Sequence, residues 1–363
     1  MLSSQTQDSF LNLIRLGIGH SAARFPEQID WPAIAELANK HGLLAVMIDG
    51  IERFPEQQRP SKALLLEWIG NTLQSYEQRY SLYEKAISKL AGFYNQHGFK
   101  MMLLKGYACS LDWPKPEHRP CGDVDIWLFG KQIEADKVLS NTNFTNDTNI
   151  KIDKSHHHHT VFEWMGFAVE NHYDFINVHH HKSHRAFEKI LKELGQDDSH
   201  YVDVNEERVY LPCPNLHVLF LIKHLMLHFS TGEITLRQLL DWGFFVEKHS
   251  EEIDWVWLEG VLDEYGMKDL YNVFNAICVG DLEFDVHIFR QVQFDPTLRE
   301  RVLKDIMSPE FCGDMPKNLF KRVVWKWHRW RANEWKHKLC YKESMWNAFW
   351  SGVWGHLMKP KSI

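Results

Sequence analysis

Two aspartates, Asp123 and Asp125, stand one residue apart in the run Asp123-Val124-Asp125-Ile126-Trp127-Leu128. A chain with that pairing must either expose a strand edge or build a cation site. Side chains alternate along a strand, so both carboxylates share one face while Val124 and Ile126 point into the body. Side by side, two carboxylates repel and are costly to ionise unless a cation stands between them. Mg²⁺, which takes oxygen ligands and keeps some of its waters, suits such a pair. A solvated strand edge is the plain alternative. Against it stand the apolar setting, the Lys105-Gly106 turn upstream and Arg119 just before the pair.

The hydrophobic period changes from helical to strand-like at Phe99. The pattern predicts a strand over 100–104, a short helix over 106–111, a strand over 123–129 and a helix over about 131–140. The Asn/Thr/Asp-rich stretch 141–149 reads as turn. His159–Trp164, the turn Met165-Gly166 and residues 167–176 read as an antiparallel hairpin. By the period-2 rule Glu170, His172 and Asp174 share one face of its second strand, and Val169 and Tyr173 take the other. Packed beside 123–128, that strand would aim Glu170 at the metal of Asp123 and Asp125. Asp174 and Asp203 are the weaker alternatives.

These residues also carry a likeness. Leu103-Leu104-Lys105-Gly106, Arg119 and the Asp123–Leu128 run resemble the signature of the uncharacterised bacterial nucleotidyltransferase-like family of the DNA polymerase β superfamily. Val169-Glu170-Asn171-His172 and Leu236-Arg237-Gln238-Leu239-Leu240-Asp241 match its later segments, and the resemblance covers roughly residues 30–260. It implies an α+β fold with a small mixed or antiparallel nucleotidyltransferase-type sheet flanked by helical regions. It also implies in-line transfer of an NMP group from an NTP, ATP among them, to an unidentified acceptor hydroxyl on RNA, protein, peptide or a small molecule. Asp123, Asp125 and Glu170 would then be the catalytic carboxylates and the ligands of Mg²⁺, or of Mn²⁺ in its place. Paired cations neutralise charge on the attacking and leaving oxygens. Lys105 and Gly106 would occupy the place of the Gly-Ser or Gly-Gly turn that cradles the triphosphate in the wider superfamily, although this chain has one glycine there and no adjacent serine. Arg119, His172, Arg237 and Asp241 would complete the nucleotide-binding set.

Each has a plainer reading. Lys105 fits a snorkelling strand-end lysine, and Arg119 fits an aspartate's partner or a loop charge. Arg237 and Asp241 fit an i,i+4 surface pair. His224 and His228 fit core histidines. A chain that keeps the fold but has lost the chemistry would bind nucleotide or a partner only. The histidines 156–159, 179–181 and 184 raise a third possibility, a histidine-rich metal-binding protein. Four adjacent histidines cannot all face one metal from an extended strand, so an exposed hairpin flank with incidental metal affinity is expected.

The centre is flanked by helical patterns, giving a helical region 1–98, a nucleotidyltransferase-like core 99–212 and a helical region 213–363. Residues 61–95 read as one long helix with an apolar stripe from Leu64 to Leu90. The C-terminal stretch 321–331 is basic and tryptophan-rich, and Trp346, Trp350 and Trp354 recur every four residues. Packed indoles under cations are the default there. Stacking on single-stranded nucleic acid and a membrane-interface helix are the sharper readings. The net charge of −7 argues against a non-specific coat for nucleic acid and leaves such binding to a local basic patch. The six scattered cysteines form no C-x-x-C pair, as reduced thiols of a cytoplasmic protein would be. The apolar runs are too short for stable membrane insertion. Oligomeric state is not written in the pattern.

Overall fold

A computed structural model describes residues 4–21, 25, 28–142, 150–179, 181–232, 234–289, 295–309, 315–347 and 350. Residues 143–149 of the turn predicted over 141–149, His180 and Trp354 lie outside these residues, and Asn141 is the last residue of the helix Gln132–Asn141. Two compact units are formed. A helical unit takes residues 1–76, 113–119 and 221–345, and a sheet unit takes 77–112, 120–220 and 346–363. The helical stretches before and after the sheet therefore contribute to one unit.

In the sheet unit six strands form one mixed sheet: β1 (Met102–Leu103), β2 (Val124–Trp127), β3 (His159–Trp164), β4 (Phe167–His172), β5 (Tyr201–Val204) and β6 (Glu207–Tyr210). Their spatial order is β3-β4-β2-β1-β6-β5. Parallel pairs β2/β4 and β1/β6 alternate with antiparallel pairs β3/β4, β1/β2 and β5/β6. The fold is thus α+β, with a small mixed sheet and flanking helices. One face of the sheet is apolar. Leu103, Val124, Ile126, Phe162, Val169 and Val209 pack there against Tyr83, Ile87 and Leu90 of the helix Gln78–Gln96 and Leu139 of the helix Gln132–Asn141. That burial is what fixes strand register, because a slip of one residue would turn every side chain over. The β3–β4 turn has Met165 and Gly166 both at positive φ (51° and 82°), the backbone that a two-residue hairpin needs.

The expected single helix over 61–95 is continuous but not uniform. Lys62–Thr72 and Gln78–Gln96 are α-helical, and Leu73–Glu77 between them is π-helical. A π turn inserts an extra residue and rotates the stripe. Trp68, Tyr76, Tyr80, Tyr83, Ile87 and Leu90 are buried accordingly, whereas Leu73 is turned out to solvent.

In the helical unit, Ser4–Ile18 and Leu44–Glu52 approach so closely that only glycine fits at the crossing. A Cβ on Gly17 would lie 2.1 Å from the Val46 carbonyl oxygen, and one on Gly50 would lie 2.2 Å from that of Leu13. Among the described residues no helix is long and apolar enough to cross a membrane. On the helix Leu319–Ala332, Trp327 and Trp330 stack on each other and the Arg329 guanidinium lies over Trp325, with Trp327 42% exposed. Trp346 and Trp350 are also exposed. His228 is exposed and His224 half-buried, so neither is a core histidine. The described cysteines, Cys109, Cys121, Cys213, Cys278 and Cys340, carry free thiols.

His41 gives this unit an acid-sensitive point. It is buried, and its Nδ1 accepts the backbone N–H of Leu236 at 3.3 Å, at the first turn of the helix Leu236–His249. Burial first, and the Lys40 cation second, push the imidazole down to about 4. The helix N-terminus adds to the cost of a positive ring. The folded form holds the proton less tightly than the unfolded chain does. The neutral ring's contribution is therefore complete above pH 6.5 and is lost as pH falls from 6.5 towards 4. His41→Gln should flatten the stability–pH curve in that window by up to about 3 kcal/mol, read by urea unfolding at successive pH values.

Candidate active site

The face of the sheet opposite the apolar core carries the charged residues. In the parallel pair β2/β4, Asp125 lies opposite Glu170 and Trp127 opposite His172. In the hairpin, His159 lies opposite His172 and Val161 opposite Glu170. Two carboxylates and two imidazoles are therefore brought together by backbone register. Glu170, the favoured third carboxylate of the sequence, stands beside Asp125. Asp174 does not join them. The strand ends at His172, the period-2 rule stops there, and the Asp174 carboxylate pairs with Lys192. Asp203 is exposed on β5, at the far edge of the sheet from β3.

Asp125 is the buried centre. Its Oδ1 lies 2.8 Å from Lys105 Nζ and 3.2 Å from His172 Nε2. His172 Nε2 is also 3.6 Å from Glu170 Oε2. Burial acts to raise the Asp125 carboxyl, but the Lys105 ammonium and the His172 hydrogen bond outweigh it and hold it well below the usual range. Glu170 is likewise lowered, burial being overcome by the bond from His172. Burial would lower Lys105 and His172, yet the facing carboxylates win and both are raised. Asp123 differs. It is exposed, just before β2, and its carboxyl is raised by partial desolvation and then by the charges of Glu170 and Asp125. The donor atoms gathered closely enough to share an ion are those of Asp125, Glu170 and His172, all within 4.8 Å of one another. Asp123 stands at the rim of that group.

The Lys-Gly turn is built against the acidic strand. Gly106 has φ 59° and ψ −102°, and the Tyr83 hydroxyl donates to the Asp123 carbonyl at 2.8 Å beside it. A Cβ on Gly106 would lie 2.5 Å from that hydroxyl. Gly106→Ala should cost about 1–3 kcal/mol through strain and displacement of Tyr83, measured as a lower denaturation midpoint. A variant as stable as the wild type would show that the turn relaxes freely.

Arg119 and Asp241 belong to the helical unit, where they bind each other. Arg119 donates from Nε to Asp241 Oδ1 at 2.7 Å and from its terminal nitrogen to Oδ2 at 2.9 Å, while Trp113 Nε1 donates to Oδ1 at 2.8 Å. All three side chains are buried. His118 and Lys115, on the same segment, pair with Asp49. The 113–119 stretch is thus stitched to two helices by two aspartates, and the arginine that donates to Asp241 is Arg119 rather than Arg237 one turn away.

His158 and His159 were expected to be incidental and are not peripheral. Residues 156–158 form a bend instead of an extended strand, and the His158 and His159 rings lie 5.5 and 5.2 Å from that of His172. The signal was present in the sequence. A two-residue turn at Met165-Gly166 pairs Trp164 with Phe167, and counting outward pairs His159 with His172. His184 and His181 serve structure: His184 Nδ1 lies 2.8 Å from the Asn177 carbonyl oxygen, and its ring packs on that of His181.

No curated protein and no solved structure matches this chain. The family model of the uncharacterised nucleotidyltransferases matches residues 27–278, more than half of the length, including both acidic strands and the Arg119–Asp241 pair, and the chain belongs to that family.

Proposed function

We propose that the chain transfers a nucleoside monophosphate from an NTP to an acceptor hydroxyl, using a divalent ion held by Asp125 and Glu170. The observation that carries this reading is the in-register pairing of those two carboxylates on neighbouring parallel strands, with cationic Lys105 and His172 against them. Such a donor set fits Mg²⁺, and its imidazole fits Mn²⁺ at least as well. When bound, the ion would supply charge neutralisation for the phosphates in an in-line displacement.

The chain's own residues take the remaining tasks. Lys105 neutralises charge on the phosphates as it now neutralises Asp125, moving from one anion to the other. Gly106 leaves the adjoining backbone open to phosphate. Asp123, exposed and with its basicity raised by its neighbours, accepts the proton of the attacking hydroxyl. His172 orients Asp125 and Glu170. Arg119 and Asp241 brace the helical unit.

A second reading is favoured by one observation: the Lys105 ammonium, 2.8 Å from the buried Asp125 carboxylate, already fills the cation position. On that reading the protein binds NTP without turnover. Incubation with α-³²P-labelled NTPs, Mg²⁺ or Mn²⁺, and RNA, protein, peptide and small-molecule acceptors separates the two. Label transfer or self-labelling supports the enzyme. NTP binding in calorimetry with no labelled product supports the binding module.

A further inference from the structure

Beside the carboxylates the hairpin carries a second donor group of a different kind. One ring nitrogen from each of His158, His159 and His172 lies within 4.8 Å of the others. Three observations separate this trio from a run of surface histidines.

First, His159 is only 6% exposed, and its Nδ1 has no hydrogen-bond partner among the described residues. The Glu170 Oε2 that it faces is 3.9 Å away, beyond hydrogen-bond reach. A buried ring nitrogen left without a partner is costly, and an ion between the two groups removes that cost. Second, His172 Nδ1 lies 3.2 Å from the Asp174 carbonyl oxygen. A carbonyl oxygen only accepts, so Nδ1 carries a proton, and Nε2, which donates to Asp125 in the metal-free site, presents its lone pair to an ion that displaces its own proton. Metal-binding imidazoles are commonly oriented in this way. Third, the backbone of the bend is anchored. The His158 carbonyl accepts the N–H groups of both Tyr173 and Asp174, at 3.0 and 3.1 Å, and the Tyr173 hydroxyl donates to the His156 carbonyl at 2.8 Å. With His159 opposite His172 in the ladder, the three rings are held from two strands and a pinned turn.

We propose that His158, His159 and His172 form a site for a borderline divalent transition metal, of which Zn²⁺ is the type, with the Glu170 carboxylate as the oxygen donor at its edge. Three imidazoles and a carboxylate make a tetrahedral nitrogen-rich set that suits Zn²⁺ or Co²⁺ and not Mg²⁺. Metal–nitrogen bonds of about 2.0–2.1 Å require the rings to draw slightly inward from their present spacing. The site rests on the nucleotidyl-transfer reading for its role but not for its existence. His172 Nε2 serves one ion at a time. A metal on the imidazoles therefore takes His172 from Asp125, fixes Glu170 from one side and leaves Asp125 and Glu170 to a hard cation. The transferase would carry two unlike ions side by side.

The test uses the untagged full chain, stripped with a chelator and then titrated with Zn²⁺ in a calorimeter and with Co²⁺ by visible absorption. One equivalent should bind, with the intense d–d bands of four-coordinate Co²⁺, and millimolar Mg²⁺ should not displace it. His159→Gln should weaken binding at least tenfold, whereas the neighbouring double variant His156→Gln/His157→Gln should bind as the wild type does. Circular dichroism reports whether His159→Gln is folded; if it is not, the double variant and the Co²⁺ spectrum of the wild type decide. Octahedral pale Co²⁺, several weak equivalents, or loss of binding in the double variant would overturn the site. Transfer that is sensitive to Asp125→Asn in a chain that binds no Zn²⁺ removes this proposal and keeps the transferase. One tight Zn²⁺ without labelled product does the reverse.

Discussion

Asp125→Asn should lower nucleotide transfer by at least about 10³-fold, some 4 kcal/mol of transition-state stabilisation, with the fold retained. The amide keeps the shape of the carboxylate and removes its charge. That charge is the one on which the site converges, since Oδ1 receives both Lys105 at 2.8 Å and His172 at 3.2 Å, and the strand register sets Glu170 directly opposite. A divalent ion would lose its most deeply buried anionic ligand. The stability cost should be smaller than for an ordinary broken buried pair, because neither partner is left as a trapped charge. Lys105 is one-fifth exposed and reaches water, and His172 can shed its proton. Asp174→Asn is the matched control: its carboxylate pairs with Lys192 instead, and transfer should stay within a few-fold of the wild type. Labelled-product formation is one readout. Mn²⁺ affinity followed by electron paramagnetic resonance is another, and it needs no acceptor. Transfer by Asp125→Asn within tenfold of the wild type would end the assignment.

The parts of this site that were legible in the sequence are the local ones. Alternation within 124–127 announces a strand with one apolar and one acidic face, and the hairpin through Met165-Gly166 announces where Glu170 and His172 point. Both rest on period 2, which needs no tertiary information. Where the strand stops, the rule stops, and so Asp174 leaves the face that spacing assigned to it. Asp123 shares the parity of Asp125 but precedes the strand, and it ends exposed at the rim. Read as extended chain, the histidine run hides its geometry, because residues 156–158 bend. A bend pinned by Tyr173 and Asp174 lets two adjacent rings approach the same place, which no strand allows. The π-helical turn at Leu73–Glu77 has no marker in the apolar stripe other than Leu73 falling out of it. Least legible was the partner of Arg119. Asp241 is 122 residues away, and its obvious neighbour by helical spacing was Arg237.

That long-range pair sets up the largest stability effect. Asp241→Ala should destabilise the protein by about 3–5 kcal/mol, seen as a lower urea midpoint, because it strands a buried guanidinium and the Trp113 indole N–H together. Arg119→Lys should lose part of the same amount, since an ammonium cannot make the two parallel bonds to the carboxylate. The double change Arg119→Met with Asp241→Leu removes both charges and should recover most of the loss, the remainder being the unpaired Trp113 donor, about 1 kcal/mol or more. The cycle also separates bracing from ligand binding. A brace makes each single change costly and the pair forgiving, with the affinity of the folded protein for NTP unaltered. If Arg119 and Asp241 instead gripped the nucleotide, Asp241→Ala would leave the midpoint where it was and weaken NTP binding, and the double change would rescue nothing. The buried, doubly bonded geometry of Arg119 favours the first outcome: a guanidinium whose charge and paired N–H fork already meet a buried carboxylate would have to give that carboxylate up to grip a phosphate in the same way.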